Sequence, residues 1–319
     1  MNKFLYRPVA RVLFGALLAS GFFSVSAAAE KQWAVAKVPV ACVRENPGHA
    51  SELGTQVVMG TPMRVVPSDE KEGWYEVETP DGYRGAMIAN SLQPMTDDEY
   101  DMWRSSDRMV VTAIDPVYIY KSPEASVRGR VSEAVNGTIV RRIGPSSKWI
   151  NVELPDGRRG YVAADAVESL DVVAERGFNL EAALDVAFSM MGSPYLWGGT
   201  STKSVDCSGL TKVAWMSQGI ILPRNASAQA LVGMPVGTDR PDLFKPGDLL
   251  FFGNSRSRRV NHVGIYIGGG KFIHCAGRVR VNSLNPSDSD YMKLELLSVS
   301  RLGKDDLRRM SMKSSAYYY

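Results

Sequence analysis

The first half of the 319-residue chain alternates apolar and polar positions, and this pattern occurs twice. The segment 74–85, WYEVETPDGYRG, matches WINVELPDGRRG at 149–160, which lies 75 positions later. Both copies are rich in β-branched residues and break at a Pro-Asp-Gly turn, as is typical of short antiparallel strands joined by tight turns. Each copy therefore predicts a small barrel. We place the barrels at 31–95 and 108–170, with a polar, helical connector at 96–107.

The pattern changes near Asn179, a good N-cap for a helix predicted over 180–191. A second helix is predicted from Cys207 to about residue 219. Helices followed by an antiparallel sheet predict an α+β domain, which we place at 175–305. The segment 306–319 is expected to be an unstructured tail. Apolar runs that predict the strands of the sheet lie at 248–252, 262–267, 271–275 and 294–299.

The composition and net charge of the chain exclude several classes of protein. The chain has 37 Lys and Arg against 34 Asp and Glu, with three Cys and three His. These counts exclude a disordered or disulfide-dense protein and give no basis for nucleic-acid binding. Any zinc site would have to use most of the His and Cys residues, and we expect no metal or organic cofactor.

The whole positive surplus lies at the start of the chain, where Lys3, Arg7 and Arg11 precede an apolar run and a cluster of small residues. This arrangement predicts a cleaved secretory signal peptide at 1–29, because the apolar run is shorter than the ~20 residues of a membrane span. A transmembrane anchor is the alternative. We therefore expect an exported protein, periplasmic or extracellular, without a membrane span.

Cys207 opens the second predicted helix within the motif Asp-Cys-Ser-Gly. A thiol at a helix N-terminus feels a partial positive charge, which is expected to lower its pKa and supply thiolate. A cysteine peptidase also needs a base and a group that orients the base. His262 and His274 flank a Gly-Gly-Gly turn, which brings them near each other on neighbouring strands. A buried, unreactive thiol and two structural histidines are the alternative.

Five motifs follow one another in the second half, and together they resemble the NlpC-type family of papain-like cysteine peptidases of the bacterial cell wall. The resemblance implies a papain-like α+β core with Cys207 as the nucleophile, His262 as the base and His274 as the orienting residue. The motifs are YxWGG from Tyr195, DCSG from Asp206, LPR from Leu222, KPGDLLFF from Lys245 and HVGIYIG from His262.

The two predicted barrels resemble bacterial SH3-like domains in their Gly, Trp and Asp-Gly-x-x-Gly positions. Two such barrels before the core are similar to a subgroup, the γ-D-glutamyl-L-diamino acid endopeptidases that require a free N-terminal L-Ala. This resemblance implies that Glu52 and Tyr83 of the first barrel, with Asp206, hold the amine of the peptide. An ordinary surface acid and a barrel tyrosine are the alternatives for the first two. The other implied peptide contacts are Tyr195, Ser208 and Ser227.

The implied reaction is hydrolysis of the γ-D-glutamyl bond to meso-diaminopimelate or Lys in stem peptides, in cell-wall turnover or recycling. A broader hydrolase of intact wall and a catalytically silent wall-binding protein are the alternatives. We expect peptidoglycan-derived peptides as partners, no nucleic acid, and a monomer. The second barrel has Arg158 where the first has Tyr83, so it is not expected to be an equivalent binding site. Cys42 and Cys275 are expected to be free thiols, with a disulfide between them as the alternative.

Overall fold

The structure, a computed structural model, describes residues 31–145 and 147–319, so the predicted signal peptide at 1–29 lies outside the described residues. Within these ranges, no helix is both long and apolar enough to cross a membrane. The described residues form three large antiparallel sheets and one two-stranded hairpin.

The first sheet has seven strands that surround a small aliphatic core. Their order is β3-β2-β6-β5-β4-β1-β7, where the strands are β1 (Gln32–Ala36), β2 (Val40–Arg44), β3 (Leu53–Val58), β4 (Pro62–Pro67), β5 (Trp74–Glu78), β6 (Arg84–Ile88) and β7 (Leu92–Met95). The predicted Pro-Asp-Gly turn joins β5 to β6, and Gly82 adopts the left-handed conformation (φ +78°) that this turn requires.

A short helix, α1 (Asp97–Arg104), follows the first sheet as the connector pattern predicts. Its first turn is closed by a capping box, in which the Thr96 side chain accepts from the backbone of Glu99 and the Glu99 carboxylate accepts from the backbone of Thr96.

The second sheet repeats the topology of the first, with the order β10-β9-β13-β12-β11-β8-β14. Its strands are β8 (Arg108–Val111), β9 (Val117–Tyr120), β10 (Arg130–Ala134), β11 (Ile139–Arg142), β12 (Trp149–Glu153), β13 (Arg159–Ala163) and β14 (Val167–Ser169). Trp149 pairs with Ala163 as Trp74 pairs with Ile88, so the strand register also repeats at an offset of 75.

The third part of the chain begins with helices and ends in a six-stranded sheet. Its elements are α2 (Leu170–Glu175), α3 (Leu180–Ser189), β15 (Thr200–Ser201), β16 (Ser204–Val205), α4 (Cys207–Met216), α5 (Ala226–Gln229), β17 (Met234–Val236), β18 (Leu249–Asn254), β19 (Arg259–Gly268), β20 (Lys271–Ala276), β21 (Arg278–Ser283), β22 (Leu296–Arg301) and α6 (Lys304–Arg309). The sheet has the order β17-β22-β18-β19-β20-β21, and β15 pairs with β16 as a separate hairpin.

The predicted elements of this part are present, with changed ends. Asn179 caps α3 through its side-chain oxygen, which accepts from the backbone N–H of Ala182. The helix ends at Ser189, two residues earlier than predicted. Strand β21 was not predicted, although its sequence RVRVNS alternates charged and apolar residues as a half-buried strand does.

The six-stranded sheet has apolar side chains on both faces. One face packs against α3 and α4 through Val263, Ile265 and Cys275. The other face carries a separate aromatic cluster that includes Phe252 and Phe272. Because residues alternate along β20, Cys275 points to the helices while His274 points to the opposite face.

The predicted unstructured tail at 306–319 is wrong. Helix α6 extends to Arg309, and the last residues pack between the two SH3-like sheets and their helices. Tyr318 is only 1% exposed, and its carbonyl accepts from Arg108 at 2.9 Å. Tyr100 of α1 donates to the carbonyl of Tyr317. A short, polar segment with three tyrosines has no hydrophobic periodicity, so its packing against distant elements cannot be read from the sequence.

Candidate active site

Cys207 lies at the first position of α4, as predicted, and lines a groove of about 460 Å³. The loop before it approaches the helix closely, since a Cβ on Gly209 would lie 2.0 Å from the carbonyl oxygen of Gly199. The glycines of the YxWGG and DCSG motifs therefore allow two backbones to touch. This contact fixes the N-terminus of α4, and with it the thiol, against the groove.

The protonation state of Cys207 differs from the prediction. Burial and the neighbouring Asp206 carboxylate raise the pKa of the thiol to about 11, although backbone N–H groups of Val263 and Ser208 act in the opposite direction. The helix N-terminus therefore does not produce a resting thiolate. Because the thiol interacts with the backbone of Val263, it lies beside the strand that carries His262.

The two histidines form a direct hydrogen bond, with Nε2 of His262 2.8 Å from Nδ1 of His274. The predicted proximity of their side chains is therefore observed. His274 is fully buried, and its Nε2 lies 2.9 Å from Oδ1 of Asn282. Within the described part of the chain, Nδ1 of His262 has no hydrogen-bonding partner, which leaves it available to a proton from outside the pair.

Both rings are neutral at physiological pH. Burial, together with the charges of His274 and Arg280, lowers the pKa of His262 to about 3. Burial also lowers the pKa of His274 to about 4, although the hydrogen bond with Asn282 acts in the opposite direction. In this state both the Cys207 thiol and the His262 imidazole are neutral, so a base would have to take the thiol proton as the sulfur reacts.

Asp206 does not present a free carboxylate to the groove. It is 5% exposed and accepts five hydrogen bonds, which come from the backbone N–H groups of Gly198 and Gly209, the hydroxyl of Ser208 and two nitrogens of Arg224. A carboxylate offers about four lone-pair positions. Its capacity is therefore filled, and Ser208 is tied into the same network by Arg224 at 2.9 Å.

Arg224 was not among the predicted site residues. Its buried ion pair with Asp206 connects the LPR motif to the residue before the nucleophile, and the motif itself was the signal that could have identified it. Tyr195 and Ser227 both line the groove, as predicted for peptide contacts. Trp197, which is 59% exposed, also lines it.

The first SH3-like sheet supplies one wall of the groove through Glu45, Gly54 and Tyr83. The hydroxyl of Tyr83 donates to Oε1 of Glu45 at 3.0 Å. Burial and this hydrogen bond raise the pKa of Tyr83 to about 12. Tyr83 therefore lines the groove, and Glu45, which was not predicted, is the acid that contacts it.

Glu52 is exposed and acts on Tyr83 only through its charge, as a minor influence on the pKa of the tyrosine. The sequence gives no reason to prefer Glu45, because both acids flank the same β2–β3 turn. Their roles depend on how that turn places them. Arg158, the counterpart of Tyr83 in the second sheet, pairs with Asp156 instead.

Direct contacts attach the first SH3-like sheet to the part of the chain that contains Cys207. The hydroxyl of Thr200 donates to the carbonyl of Gln56 at 2.7 Å, and the side chain of Gln56 accepts from the backbone of Thr200 at 3.2 Å. Lys212 of α4 pairs with Asp81 of the first sheet at 3.1 Å, and Asp81 is nearly inaccessible to solvent. The helix that carries Cys207 is thus held against the sheet that carries Tyr83.

The remaining cysteines, Cys42 and Cys275, form no disulfide with each other. Cys42, Cys207 and Cys275 are all free thiols, and Cys275 donates to the carbonyl of Val205 at 3.3 Å. Among residues 31–145 and 147–319, no group of three or more His, Cys, Asp and Glu side chains is arranged to hold a metal ion.

Both the N-terminal sheets and the C-terminal part of the chain resemble known proteins. Residues 192–301 match the NlpC/P60 family, and residues 40–85 match the bacterial SH3 domain. The chain is 31% identical over 244 residues to the gamma-D-glutamyl-L-lysine dipeptidyl-peptidase of Bacillus cereus, covering 71% of this chain and 68% of that protein. It is 26% identical over 265 residues to dipeptidyl-peptidase 6 of Lysinibacillus sphaericus, covering 79% and 92% of the two chains.

A solved structure of an NlpC/P60 family protein from Bacillus cereus shares the fold, with a TM-score of 0.70 and 22% identity over 84% of this chain and 99% of that chain. The predicted fold class is therefore confirmed, as a papain-like α+β core preceded by SH3-like β domains. The resemblance seen in the motifs is confirmed as well. The chain belongs to the NlpC/P60 family of cysteine peptidases, the peptidoglycan endopeptidases.

Proposed function

We propose that this chain is an exported cysteine endopeptidase that hydrolyses the γ-D-glutamyl bond to a diamino acid in stem peptides with a free N-terminal L-Ala. One observation carries the proposal: a single groove contains Cys207 and the hydrogen-bonded pair Tyr83 and Glu45. A peptide bound at Cys207 is thereby offered an acidic contact from the first SH3-like sheet. The Bacillus cereus relative is named a gamma-D-glutamyl-L-lysine dipeptidyl-peptidase, and this name supports both the type of bond and the release of a dipeptide.

The reaction begins with neutral partners. Nδ1 of His262 takes the proton of the Cys207 thiol as the sulfur attacks the γ-carbonyl carbon of D-Glu. The backbone N–H of Cys207 lies in the first turn of α4, where N–H groups have no intrahelical acceptor, and it stabilises the oxyanion.

The protonated His262 then gives its proton to the departing amine of the diamino acid, and the C–N bond breaks. A thioester between Cys207 and the L-Ala-γ-D-Glu acyl group remains. Water attacks this thioester with His262 again acting as base, which releases the dipeptide and restores the thiol. His274 holds the ring of His262 through the 2.8 Å hydrogen bond during both steps.

Amine recognition falls to Glu45 and Tyr83. The second oxygen of Glu45 has no hydrogen-bonding partner among the described residues, whereas the carboxylate of Asp206 is filled by its five donors. An ammonium group gains a charge-assisted hydrogen bond from Glu45 that an N-acyl group cannot make. Asp206 contributes by fixing Arg224 and the N-terminus of α4.

The first test is incubation of the protein with L-Ala-γ-D-Glu-diamino acid peptides, with mass analysis of the products. We expect the dipeptide L-Ala-γ-D-Glu and the free diamino acid. Cys207→Ala should abolish the reaction. Cys275→Ala is the matched control, because it removes another buried thiol from the same core and should retain activity. Activity in Cys207→Ala would overturn the proposal.

The second test compares the free tripeptide with its N-acetylated form and with intact wall. We expect hydrolysis of the free tripeptide only, and Glu45→Gln should reduce it about 10- to 100-fold, the value of one charge-assisted contact. Glu52→Gln is the matched control and should have a small effect. Efficient cleavage of intact wall would favour the broader hydrolase, and no cleavage of any substrate would favour a silent wall-binding protein.

A further inference from the structure

A chain of side-chain hydrogen bonds extends the histidine pair to strand β21. Nε2 of His262 contacts Nδ1 of His274 at 2.8 Å, and Nε2 of His274 contacts Oδ1 of Asn282 at 2.9 Å. The amide nitrogen Nδ2 of Asn282 then donates to the backbone carbonyl of Asp290 at 2.6 Å. The side chains of His274 and Asn282 thus connect His262, the proposed base, to the backbone carbonyl of Asp290.

The backbone carbonyl of Asp290, which ends this series of hydrogen bonds, determines which atom donates in each of the others. A backbone carbonyl can only accept, so the amide nitrogen of Asn282 must face Asp290 and its oxygen must face His274. Nε2 of His274 therefore carries a proton. Because the ring is neutral, its Nδ1 is unprotonated and accepts from Nε2 of His262. The proton on Nε2 of His262 leaves Nδ1 of the same ring free to act as a base.

The backbone carbonyl of Asp290, which ends this series of hydrogen bonds, is itself held in place. The carbonyl of Asp290 also accepts from the backbone N–H of Ser283 at 3.1 Å, and its carboxylate is paired with Lys271 at 2.6 Å. Asn282 lies on β21, opposite Phe272 of β20. The position of its amide is thus set by two strands and by the loop that follows them.

Burial is the main reason that both rings are neutral. Arg280 on β21 is the neighbouring cation and disfavours the protonated form of each ring. A neutral imidazole carries one proton on one of two nitrogens. The only remaining variable is which nitrogen carries it.

We infer that Asn282 is a positioning residue, which, through His274, holds His262 in the tautomer whose Nδ1 accepts the proton of Cys207. Asn282 does not line the groove described above. Its effect should therefore fall on the proton transfer rather than on peptide binding. The inference rests on the proposed role of His262 as base, and it adds a residue to the two histidines predicted from the motifs.

The tautomers can be measured without any assay of activity. The chain contains only three His, so a protein labelled with ¹⁵N-histidine gives a small set of ring signals. We expect the signals of His262 and His274 in the wild type to show protonated Nε2 and unprotonated Nδ1 at neutral pH. Observation of a protonated Nδ1 on either of these rings would overturn the inference, whatever the substrate of the enzyme is.

Substitution of Asn282 separates an acceptor role from a merely structural one. Asn282→Ala removes the acceptor, so we expect a mixture of ring tautomers and a kcat reduced roughly 10- to 100-fold with an unchanged KM. Asn282→Asp retains an acceptor for Nε2 of His274. It should keep the wild-type tautomers and most of kcat, while its negative charge moves the acid limb of the pH profile to higher pH.

Asn285→Ala is the matched control, because the side chain of Asn285 bonds to Ser287 and Asp288 of its own loop, and should leave tautomers and kcat unchanged. If Asn282→Ala fails to fold, Asn282→Asp and the wild-type tautomers still decide the question. Wild-type kcat and tautomers in a folded Asn282→Ala would overturn the inference. A wild-type protein with the expected tautomers but no peptidase activity would count against the proposed function instead.

Discussion

His262 and His274 meet diagonally across two strands: Nε2 of His262 lies 2.8 Å from Nδ1 of His274, although the residue directly opposite His274 is Gly264. Diagonal neighbours on one face of a sheet are within reach of ring side chains. A Cβ on Gly264 would lie 2.7 Å from the ring of Phe272 and 3.2 Å from the Cβ of His274. The glycine of the HVG motif therefore leaves the space in which the two rings meet.

We predict that Gly264→Ala disturbs this contact. The added methyl group must displace Phe272 or His274, which lengthens the hydrogen bond to His262 and lowers kcat at least tenfold. Steady-state kinetics with the free tripeptide would measure the loss. Gly177→Ala is a suitable control, because a Cβ there meets no atom within 4 Å. Wild-type kcat in Gly264→Ala would show that the space is not needed.

The motifs predicted that Cys207 opens a helix and that His262 and His274 lie close together, since a short hairpin leaves few arrangements of the two histidines open. They did not predict Asn282, because the pairing of β21 with β20 depends on the tertiary fold. They also did not predict that Glu45, rather than Glu52, contacts Tyr83. Both acids flank one turn, and only the geometry of that turn brings one of them to Tyr83.

The protonation state of Cys207 was predicted wrongly for a physical reason. The helix N-terminus favours a thiolate, and this influence is readable from the sequence. Burial and the charge of Asp206 oppose it, and they prevail, since the pKa of the thiol rises to about 11. Burial of a particular atom follows from packing between the first SH3-like sheet and the core, which no local pattern describes.

This pKa predicts how Cys207 responds to alkylation. Because the thiol is protonated throughout the neutral range, its rate of reaction with iodoacetamide should rise about tenfold per pH unit from pH 7 to 9. The pKa of His262, about 3, means that no imidazolium stabilises a resting thiolate in this range. Peptide mapping would separate Cys207 from the more accessible Cys42. A plateau below pH 7 would instead reveal a thiolate–imidazolium pair.

The ion pair between Asp81 and Lys212 should contribute to stability in a pH-dependent way. Burial acts to raise the pKa of Asp81, but Lys212 and the hydroxyl of Thr79 outweigh it and lower the pKa below 3.8. The stabilisation is therefore complete above the unfolded-state pKa and is lost as the pH falls through the lower folded-state value. Urea unfolding at several pH values would measure this dependence.

Asp81→Asn should lower the free energy of unfolding at pH 7 by about 3 kcal/mol, because the ammonium group of Lys212 would be left without its partner. The double variant Asp81→Asn, Lys212→Met should recover part of the loss. Asp305→Asn removes an exposed pair with Arg308 and is the control for charge alone, with a change below about 0.5 kcal/mol. Equal effects of Asp81→Asn and Asp305→Asn would exclude a role for the buried pair.

The C-terminal segment should stabilise the protein through Tyr318. Its ring is 1% exposed, whereas Met102 of the neighbouring helix is 62% exposed. Removal of a buried aromatic ring leaves a cavity, so Tyr318→Ala should lower the free energy of unfolding by about 3–5 kcal/mol, and Met102→Ala should change it little. Urea unfolding with unchanged m-values would establish the difference. Because Tyr318 contacts the connector and not the groove, kcat of the folded fraction should be retained. If Tyr318→Ala lowers the free energy of unfolding by less than about 0.5 kcal/mol, the segment does not stabilise the fold and behaves as the unstructured tail expected from the sequence.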